Sequence, residues 1–441
     1  MKNMLKNKIQ KKNKKMKDSG ISWIGDIPSD WNIFRIKNIF NLSKEKINGH
    51  TEEYQIYSLT MRGLKKRNIE TNEGQIAASY DKYARLRKND IVLNPMDLKS
   101  GFVARQKDDG IISPAYSLMR PRKKQNTKYF ERYLQFHYFY NIFHPFGKGV
   151  SYDYRWTLGD SELMNFPILN PPKETQEKIV EFLDEKTGAV AGAVEKKKKM
   201  IELLKEKRSS IITHTVTKGL DKKTEMKDSG VGWLGDIPSE WEVRKLKFLS
   251  KTFASNVDKH SKSNEKEVSL CNYVDVYKNE EINNQLNFMK ATAKIDQIRN
   301  FDIRKDNVLL TKDSETADDI GVPAYVSESF ENVICGYHLY ISRSFGIYGK
   351  YLFRFLQSHN VRQRFEISSN GVTRFGLSVY PLINTDILLP PRKTQQKIVE
   401  FLDKKTSEID SVISKIEKQI ELLDEYKASL IYHAVTGKME I

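Results

Sequence analysis

Two loops in this sequence place a glycine, a small hydroxyl and an arginine close to an aromatic residue. Residues 149–156 read GVSYDYRW, and residues 371–375 read GVTRF. The hydroxyl and the guanidinium of such a loop can donate hydrogen bonds to a phosphate or to the edge of a nucleic-acid base. A loop that packs against a neighbouring helix, with the arginine as a structural cation, fits the same residues. The sequence leaves both interpretations open.

The whole chain has an excess of positive charge that favours a polyanionic partner. Its 441 residues include 74 Lys and Arg against 57 Asp and Glu, a formal net charge of +17. Nucleic acid is the usual partner of such a chain, although a lysine-rich surface without that partner is the alternative. Further basic side chains occur in residues 62–67 (RGLKKR) and beside Ser314, where solvated surface is the competing interpretation. The candidate DNA contacts are Arg62, Lys65, Lys66, Arg67, Lys148, Ser151, Arg155, Lys312, Thr373 and Arg374.

The sequence contains no motif that would bind a nucleotide cofactor or a metal. It has neither a GxxxxGK[ST] phosphate loop nor a GxGxxG turn. Residues 170–173 (NPPK) lack the aromatic residue that follows Asn-Pro-Pro in DNA adenine methyltransferases and stacks on a flipped base. The acidic residues between 313 and 319 could bind a metal, but the first module has no equivalent cluster, and they are interpreted as a polar loop. We therefore predict no catalytic residues, no metal site and no cofactor bound by this chain.

The composition also limits the classes of protein to which this chain can belong. Cys271 and Cys335 are the only cysteines, which excludes a disulfide framework and a cysteine-rich zinc site. No apolar run reaches the roughly 18 residues that a transmembrane helix needs. Residues 1–17 contain eight Lys and no acid, and no apolar segment follows as in a secretory signal. We expect a disordered basic arm there, with phosphate binding as the alternative, and a cytoplasmic protein.

The chain consists of two copies of one module. Residues 16–31 (MKDSGISWIGDIPSDW) and 226–241 (MKDSGVGWLGDIPSEW) match at twelve of sixteen positions. Residues 171–187 (PPKETQEKIVEFLDEKT) and 390–406 (PPRKTQQKIVEFLDKKT) match at thirteen of seventeen. The sequence between the matched blocks differs between the copies. We call the matched blocks the frame and the sequence between them the interiors. A constant frame around two different interiors suggests that the protein recognises two different things at a fixed separation.

Each copy ends in a long predicted helix. After each Pro-Pro pair the chain continues for some forty residues without proline, and apolar residues recur in alternating steps of four and three, as in a heptad seam. We expect the two helices to pair in antiparallel orientation, each about 60 Å long, which is close to two turns of B-DNA. The predicted seam residues are Val190, Val194, Ile201, Leu204, Ile211, Ile409, Ile413, Ile416, Ile420, Leu423 and Leu430.

The interiors predict globular modules of mixed structure. Short β-type runs such as residues 90–94 (DIVLN) and 307–311 (NVLLT) precede an aromatic-rich helical segment at residues 129–137 and, in the second copy, at 351–359. The predicted fold class is α+β, with two globular mixed α/β domains separated by two long antiparallel helices and related by a pseudo-two-fold internal repeat.

These blocks together resemble the specificity subunit of type I restriction-modification systems. The resemblance extends from about Met16 to the C-terminus, because the opening block, the PPxxTQxKIVEFLD block and the helix ends ITHTVT and IYHAVT each occur twice and in order. The implied organisation is a basic arm at 1–17, target recognition domains at 18–170 and 217–389, and spacer helices at 171–216 and 390–441.

The resemblance implies a non-catalytic subunit that recognises a bipartite, asymmetric double-stranded DNA target. The spacer helices would set the unread gap and dock two modification subunits, which carry the methyltransferase chemistry, and restriction subunits would complete the endonuclease. S-adenosylmethionine, ATP and Mg²⁺ are then expected in the partner subunits. A self-contained DNA methyltransferase with its own recognition domains is the alternative, and a purely structural coiled-coil adaptor is a third possibility.

Overall fold

The computed structural model describes residues 15–47, 49, 53–61, 63–68, 79–99, 101–149 and 156–441. The candidate residues Arg62, Ser151 and Arg155 lie outside these ranges, as does most of the predicted basic arm. Met16 and Lys17, which the sequence assigns to that arm, form part of the first described strand.

The chain folds into two compact units. The first unit comprises Met1–Lys197 and Lys418–Ile441, and the second comprises Lys198–Glu417. Each unit therefore contains one interior, part of the first long helix and part of the second. The predicted α+β class, with two mixed domains and two long antiparallel helices, is confirmed.

Both units open with the same hairpin. Met16–Asp18 pairs with Asp26–Pro28, and Met226–Asp228 pairs with Asp236–Pro238 in the same antiparallel register. The turn needs glycine, since Gly25 and its counterpart Gly235 both have positive φ values that favour a residue without Cβ. Trp31 and Trp241 follow at equivalent positions and are buried in the two main cores.

A strand pair closes each interior where its long helix begins. Asn32–Arg35 pairs with Pro167–Asn170 in the first unit, and Glu242–Lys245 pairs with Asp386–Leu389 in the second. The chain therefore enters and leaves each interior at one place.

The first interior contains two four-stranded sheets. In spatial order the strands are Gly63–Lys66, Ile56–Thr60, Gly110–Ile112 and Ala84–Leu86 in one sheet, and Phe40–Leu42, Ser117–Pro121, Ile91–Leu93 and Val103–Arg105 in the other. Its remaining described elements are the strand pair Lys148–Gly149 with Trp156–Thr157 and the helices Ile36–Ile39, Thr127–Phe139, His144–Phe146 (3₁₀) and Asp160–Asn165.

The second interior contains a five-stranded and a three-stranded sheet. The five strands are Ser250–Ala254, Leu339–Ser344, Asn307–Thr311, Pro323–Val326 and Glu281–Ile282, and the three are Met289–Ala293, Lys266–Cys271 and Val333–Cys335. The other described elements are the strand pair Asp313–Ser314 with Phe375–Gly376 and the helices Leu246–Phe248 (3₁₀), Tyr273–Lys278, Ile295–Phe301, Ala317–Asp319 (3₁₀), Gly349–Leu356, His359–Ser368 and Val379–Ile383. The helical segment that the sequence predicts at 351–359 is therefore two helices, which meet at Gln357 and the buried Ser358.

Both long helices start directly after a Pro-Pro pair. They span Lys173–Lys218 and Arg392–Val435. A glutamine fixes each start: the Nε2 of Gln176 donates to the carbonyl of Pro171, and the Nε2 of Gln395 donates to that of Pro390, both at 2.9 Å. Gly219, with a φ of +80°, ends the first helix, because glycine adopts this helix-terminating conformation without a Cβ penalty.

Within each unit the two long helices run antiparallel. In the first unit, Ile179 and Leu183 near the start of one helix share a core with Ile431 and Val435 at the end of the other. In the second unit, Ile212 near the end of the first helix shares a core with residues at the start of the second. The cores thus join the beginning of each helix to the end of its partner.

The predicted seam residues lie on the protected side of these helices. Val190, Ile409, Ile413, Ile416 and Leu430 are buried. The others are half-buried, namely Val194, Ile201, Leu204, Ile211, Ile420 and Leu423. Polar residues interrupt the seam, and two of them bond across it.

These two cross-helix contacts lie in different units. In the first unit, Lys197 Nζ donates to Gln419 Oε1 at 2.6 Å. In the second, Arg208 Nε donates to Asp410 Oδ1 at 2.9 Å.

The buried contact between long helix and interior core predicts a large effect of truncation. Leu402→Ala removes a fully buried side chain in the second unit and should lower the free energy of unfolding by about 2–5 kcal/mol. Leu203→Ala, at a site that is 53% exposed, should change it by less than about 0.5 kcal/mol. Chemical denaturation of the full chain measures both, and equal losses would contradict the core assignment.

Candidate nucleic-acid interface

The second unit brings two of the candidate residues together from distant parts of the sequence. Asp313–Ser314 pairs in antiparallel register with Phe375–Gly376. The backbone N–H of Leu377 also donates to the carbonyl of Lys312 at 2.9 Å. These backbone bonds hold the loop that carries Thr373 and Arg374 against the end of a central strand of the five-stranded sheet.

An acidic side chain orders the basic groups at this place. The Asp313 carboxylate lies 2.6 Å from His338 Nδ1 and 3.9 Å from Arg374 Nη2. Lys312 Nζ lies 4.0 Å from the centre of the Tyr337 ring, which is a cation–π distance. We call Lys312, Asp313, Tyr337, His338 and Arg374 the basic–aromatic cluster.

The basic–aromatic cluster presents donors and an aromatic face to solvent. The side chain of Arg374 is 58% exposed, and Tyr337 is also exposed. Thr373 lies next to Arg374 and is exposed as well. The exposed guanidinium of Arg374 and hydroxyl of Thr373, beside the half-buried Lys312, can donate to phosphates or base edges, and the exposed Tyr337 ring can stack on a base.

The first unit has a loop at the corresponding place. Lys148–Gly149 pairs with Trp156–Thr157, and the N–H of Leu158 donates to the carbonyl of Pro95 at 2.8 Å, just as Leu377 bonds to Lys312. The Lys148 side chain is 83% exposed, and its ammonium lies 3.0 Å from Glu162, whose pKa it lowers. Ser151 and Arg155 belong to the same loop but lie outside the described residues.

The other basic candidates of the first unit lie elsewhere. Lys65 and Lys66 are exposed on the strand Gly63–Lys66, at the edge of a four-stranded sheet that does not include Lys148. The backbone N–H of Arg67 donates to Ile56, which extends the pairing of that strand. Lys65 and Lys66 therefore belong to a different sheet from Lys148.

Sequence reasoning missed Tyr337 and His338. Both residues lie immediately before the strand Leu339–Ser344. No local pattern distinguishes the two residues, because their role depends on Lys312 and Asp313 across the sheet.

The residues that resemble a methyltransferase motif have a structural role. Asn170 ends the strand Pro167–Asn170, and its Oδ1 accepts a hydrogen bond of 3.0 Å from Gln176 Nε2. This side chain therefore helps to start the first long helix.

The described part of the chain offers little for metal or membrane binding. No group of three or more His, Cys, Asp or Glu among those residues could hold a metal ion. Cys271 and Cys335 are free thiols on paired strands, and burial raises the pKa of both. None of the described helices combines the length and the apolar character that crossing a membrane requires.

Comparison with known proteins agrees with this architecture. A curated sequence from Methanocaldococcus jannaschii, described as a type I restriction enzyme MjaX specificity subunit, is 26% identical over 239 residues, which are 51% of this chain and 53% of the relative. The match thus spans about half the length of that relative.

A solved structure shares the fold. A chain from a structure concerned with complex assembly and conformational transition of the type I R-M system superposes with a TM-score of 0.67 at 13% identity, and the match covers 94% of this chain and 99% of the other. An HsdS subunit from Thermoanaerobacter tengcongensis gives a TM-score of 0.44 at 14% identity, with coverage of 94% and 98%.

A family model decides the assignment. The model of the type I restriction modification DNA specificity domain matches residues 28–203 and again residues 238–422. Each match contains one interior and most of the long helix that follows it. The chain therefore belongs to the family of type I restriction modification DNA specificity domains.

Proposed function

We propose that this chain is the DNA sequence-specificity subunit of a type I restriction-modification complex. One observation carries the proposal: the two units hold different side chains at the same place of one backbone scaffold. The bond from Leu377 to Lys312 in the second unit corresponds to the bond from Leu158 to Pro95 in the first. Two half-sites recognised in this way differ in sequence, so the full target is bipartite and asymmetric.

The family membership supports the remaining parts of the proposal. Two modification subunits dock on the repeated frame and carry the adenine methyltransferase chemistry, and restriction subunits add cleavage. S-adenosylmethionine, ATP and Mg²⁺ bind to those subunits, and this chain is not catalytic. A chain with this function works in the cytoplasm, where the DNA lies.

The function is tested by mapping methylated adenines across the genome. Cells that carry this chain and its modification subunits should show one gapped, asymmetric motif that disappears when the chain is deleted. Restoring the chain alone is the control. An unchanged map would refute the proposal, and S-adenosylmethionine binding by the purified chain alone would favour the self-contained methyltransferase.

The basic–aromatic cluster gives a second prediction. Arg374→Ala removes an exposed guanidinium and should weaken binding of the assembled complex to its target DNA by about 1–3 kcal/mol. Loss of discrimination at one base pair identifies a base contact. A loss of affinity that is the same for all DNA sequences identifies a contact with the DNA backbone. The slope of log affinity against log salt concentration should then be smaller by the contribution of about one phosphate.

The matched control is Arg299→Ala, which removes another exposed arginine of the same unit outside the cluster. Fluorescence anisotropy with the target duplex at several salt concentrations measures both variants. Identical affinities of Arg374→Ala and the unaltered protein would exclude Arg374 from the interface.

The long helices are proposed to set the unread gap. Inserting one heptad between Lys197 and Lys198 and another between Glu417 and Lys418 keeps the seam in register and adds about 10 Å of helix. The gap in the methylated motif should then grow by about three base pairs, at ~3.4 Å each. A four-residue insertion, which breaks the register, is the control for nonspecific disruption. A gap of unaltered length in the heptad variant would show that the helices do not set it.

A further inference from the structure

An ion-pair arrangement is repeated in the two units, in each case near the start of a long helix. In the second unit, Lys350 and Arg354 both lie 2.8 Å from Asp403 on the second long helix. In the first unit, Lys128 and Arg132 pair in the same way with Asp184 on the first long helix. The two units can therefore be compared residue by residue around these pairs.

The second unit uses this arrangement to hold one further carboxylate. Glu280 accepts from Arg354 Nη1 at 3.0 Å, from Arg208 Nη2 at 2.7 Å and from Gln357 Nε2 at 2.6 Å. Burial alone would raise the pKa of Glu280, but the guanidinium groups of Arg354 and Arg208 lower it below its usual value. Three donors around two oxygens make a site for a planar, singly charged acceptor.

The first unit has the same three donor positions. Arg132, Gln135 and Lys427 occupy the places of Arg354, Gln357 and Arg208, as the register of the two copies requires. Within the described residues, no hydrogen bond or ion pair joins Lys427 to a carboxylate. Gln135 Nε2 donates instead to the carbonyl of Val103 at 3.3 Å.

These donors line an open cavity of about 530 Å³ in the first unit. Gln106 also lines it; the residue is only 2% exposed, and its Nε2 has no acceptor among the described residues. Arg132 Nε, also buried, likewise lacks one in that part of the chain. Burial and the neighbouring Arg132 lower the pKa of Lys427. Its charge lacks the compensation that Arg208 receives from the carboxylate of Glu280. Buried donors without acceptors are costly, which favours a ligand that supplies acceptors.

We propose that this cavity binds the carboxylate of an acidic side chain presented by another protein chain, in the place that Glu280 takes in the second unit. The chemistry of the ligand follows from Glu280, a protein carboxylate held by the equivalent donors. The nearby carboxylates Glu131 and Asp184 also line the cavity and disfavour a phosphate with more than one negative charge. The exposed Lys66 and Lys107 at the same cavity attract an acidic protein surface.

The test uses the full-length chain and a peptide that carries one acidic side chain. Ac-Gly-Glu-Gly-NH₂ should bind at millimolar concentration with a stoichiometry of one and raise the melting temperature. Ac-Gly-Gln-Gly-NH₂, which is neutral and of the same shape, should not. Saturation-transfer NMR and thermal unfolding measure binding, with propionate as a free carboxylate and inorganic phosphate as the competing anion.

Variants of Lys427 locate the site. Lys427→Met should weaken peptide binding at least tenfold, whereas Lys427→Arg should retain it, since arginine stands at the equivalent position 208. The matched control Lys415→Met, at an exposed lysine of the same helix, should leave binding unchanged. Loss of binding in Lys427→Met with retention in Lys427→Arg separates a ligand contact from a packing role.

The second unit supplies a positive control. Glu280→Ala removes its own carboxylate and should raise the peptide stoichiometry from one to two, with recovery of melting temperature on addition of the peptide. The proposal is overturned if the unaltered chain does not distinguish the glutamate peptide from the glutamine peptide, or if phosphate binds and the peptide does not. Binding of propionate without the peptide would reassign the cavity to a small free carboxylate and would equally refute a protein partner.

Discussion

The burial of both ends of each long helix is the constraint on which the rest of the structure depends. A lone helix of this length is marginal in water, and an apolar stripe needs a partner surface. Here Ile179 and Leu183 share the main core of the first unit with Ile431 and Val435. The main core of each unit contains a segment from each helix. The sequence of the long helices must therefore satisfy the heptad seam and the two globular cores at the same time.

Much of the frame could be predicted because its signals are local. The Pro-Pro pairs and the periodic apolar residues indicate where the long helices begin, and both helices start directly after a Pro-Pro pair. The basic–aromatic cluster could not be predicted, since it joins Lys312, His338 and Arg374 across a sheet. The donors around Glu280 were missed for the same reason: their partner lies about seventy residues from Arg208 in sequence, and only the fold brings them together.

The two copies show how one scaffold tolerates different electrostatics. Arg208 and Lys427 occupy equivalent seam positions, yet the guanidinium of Arg208 bridges Asp410 and Glu280, whereas the Lys427 ammonium faces a cavity. Arginine suits the first setting because its planar fork can serve two carboxylates at once. An internal repeat of this kind provides its own comparison, in which a difference between equivalent side chains indicates a difference in what each unit contacts.

The division of the first unit between the two ends of the chain has a consequence for synthesis on the ribosome. The hydroxyl of Tyr129 donates to the carbonyl of Val435 at 3.2 Å, and Leu430 to Val435 fill the core that the early residues begin. The second unit is continuous in sequence and can complete its core as soon as Glu417 has emerged. The first unit is thus translated before the second but finishes folding after it, and its apolar core residues lack their partners from the second long helix until then.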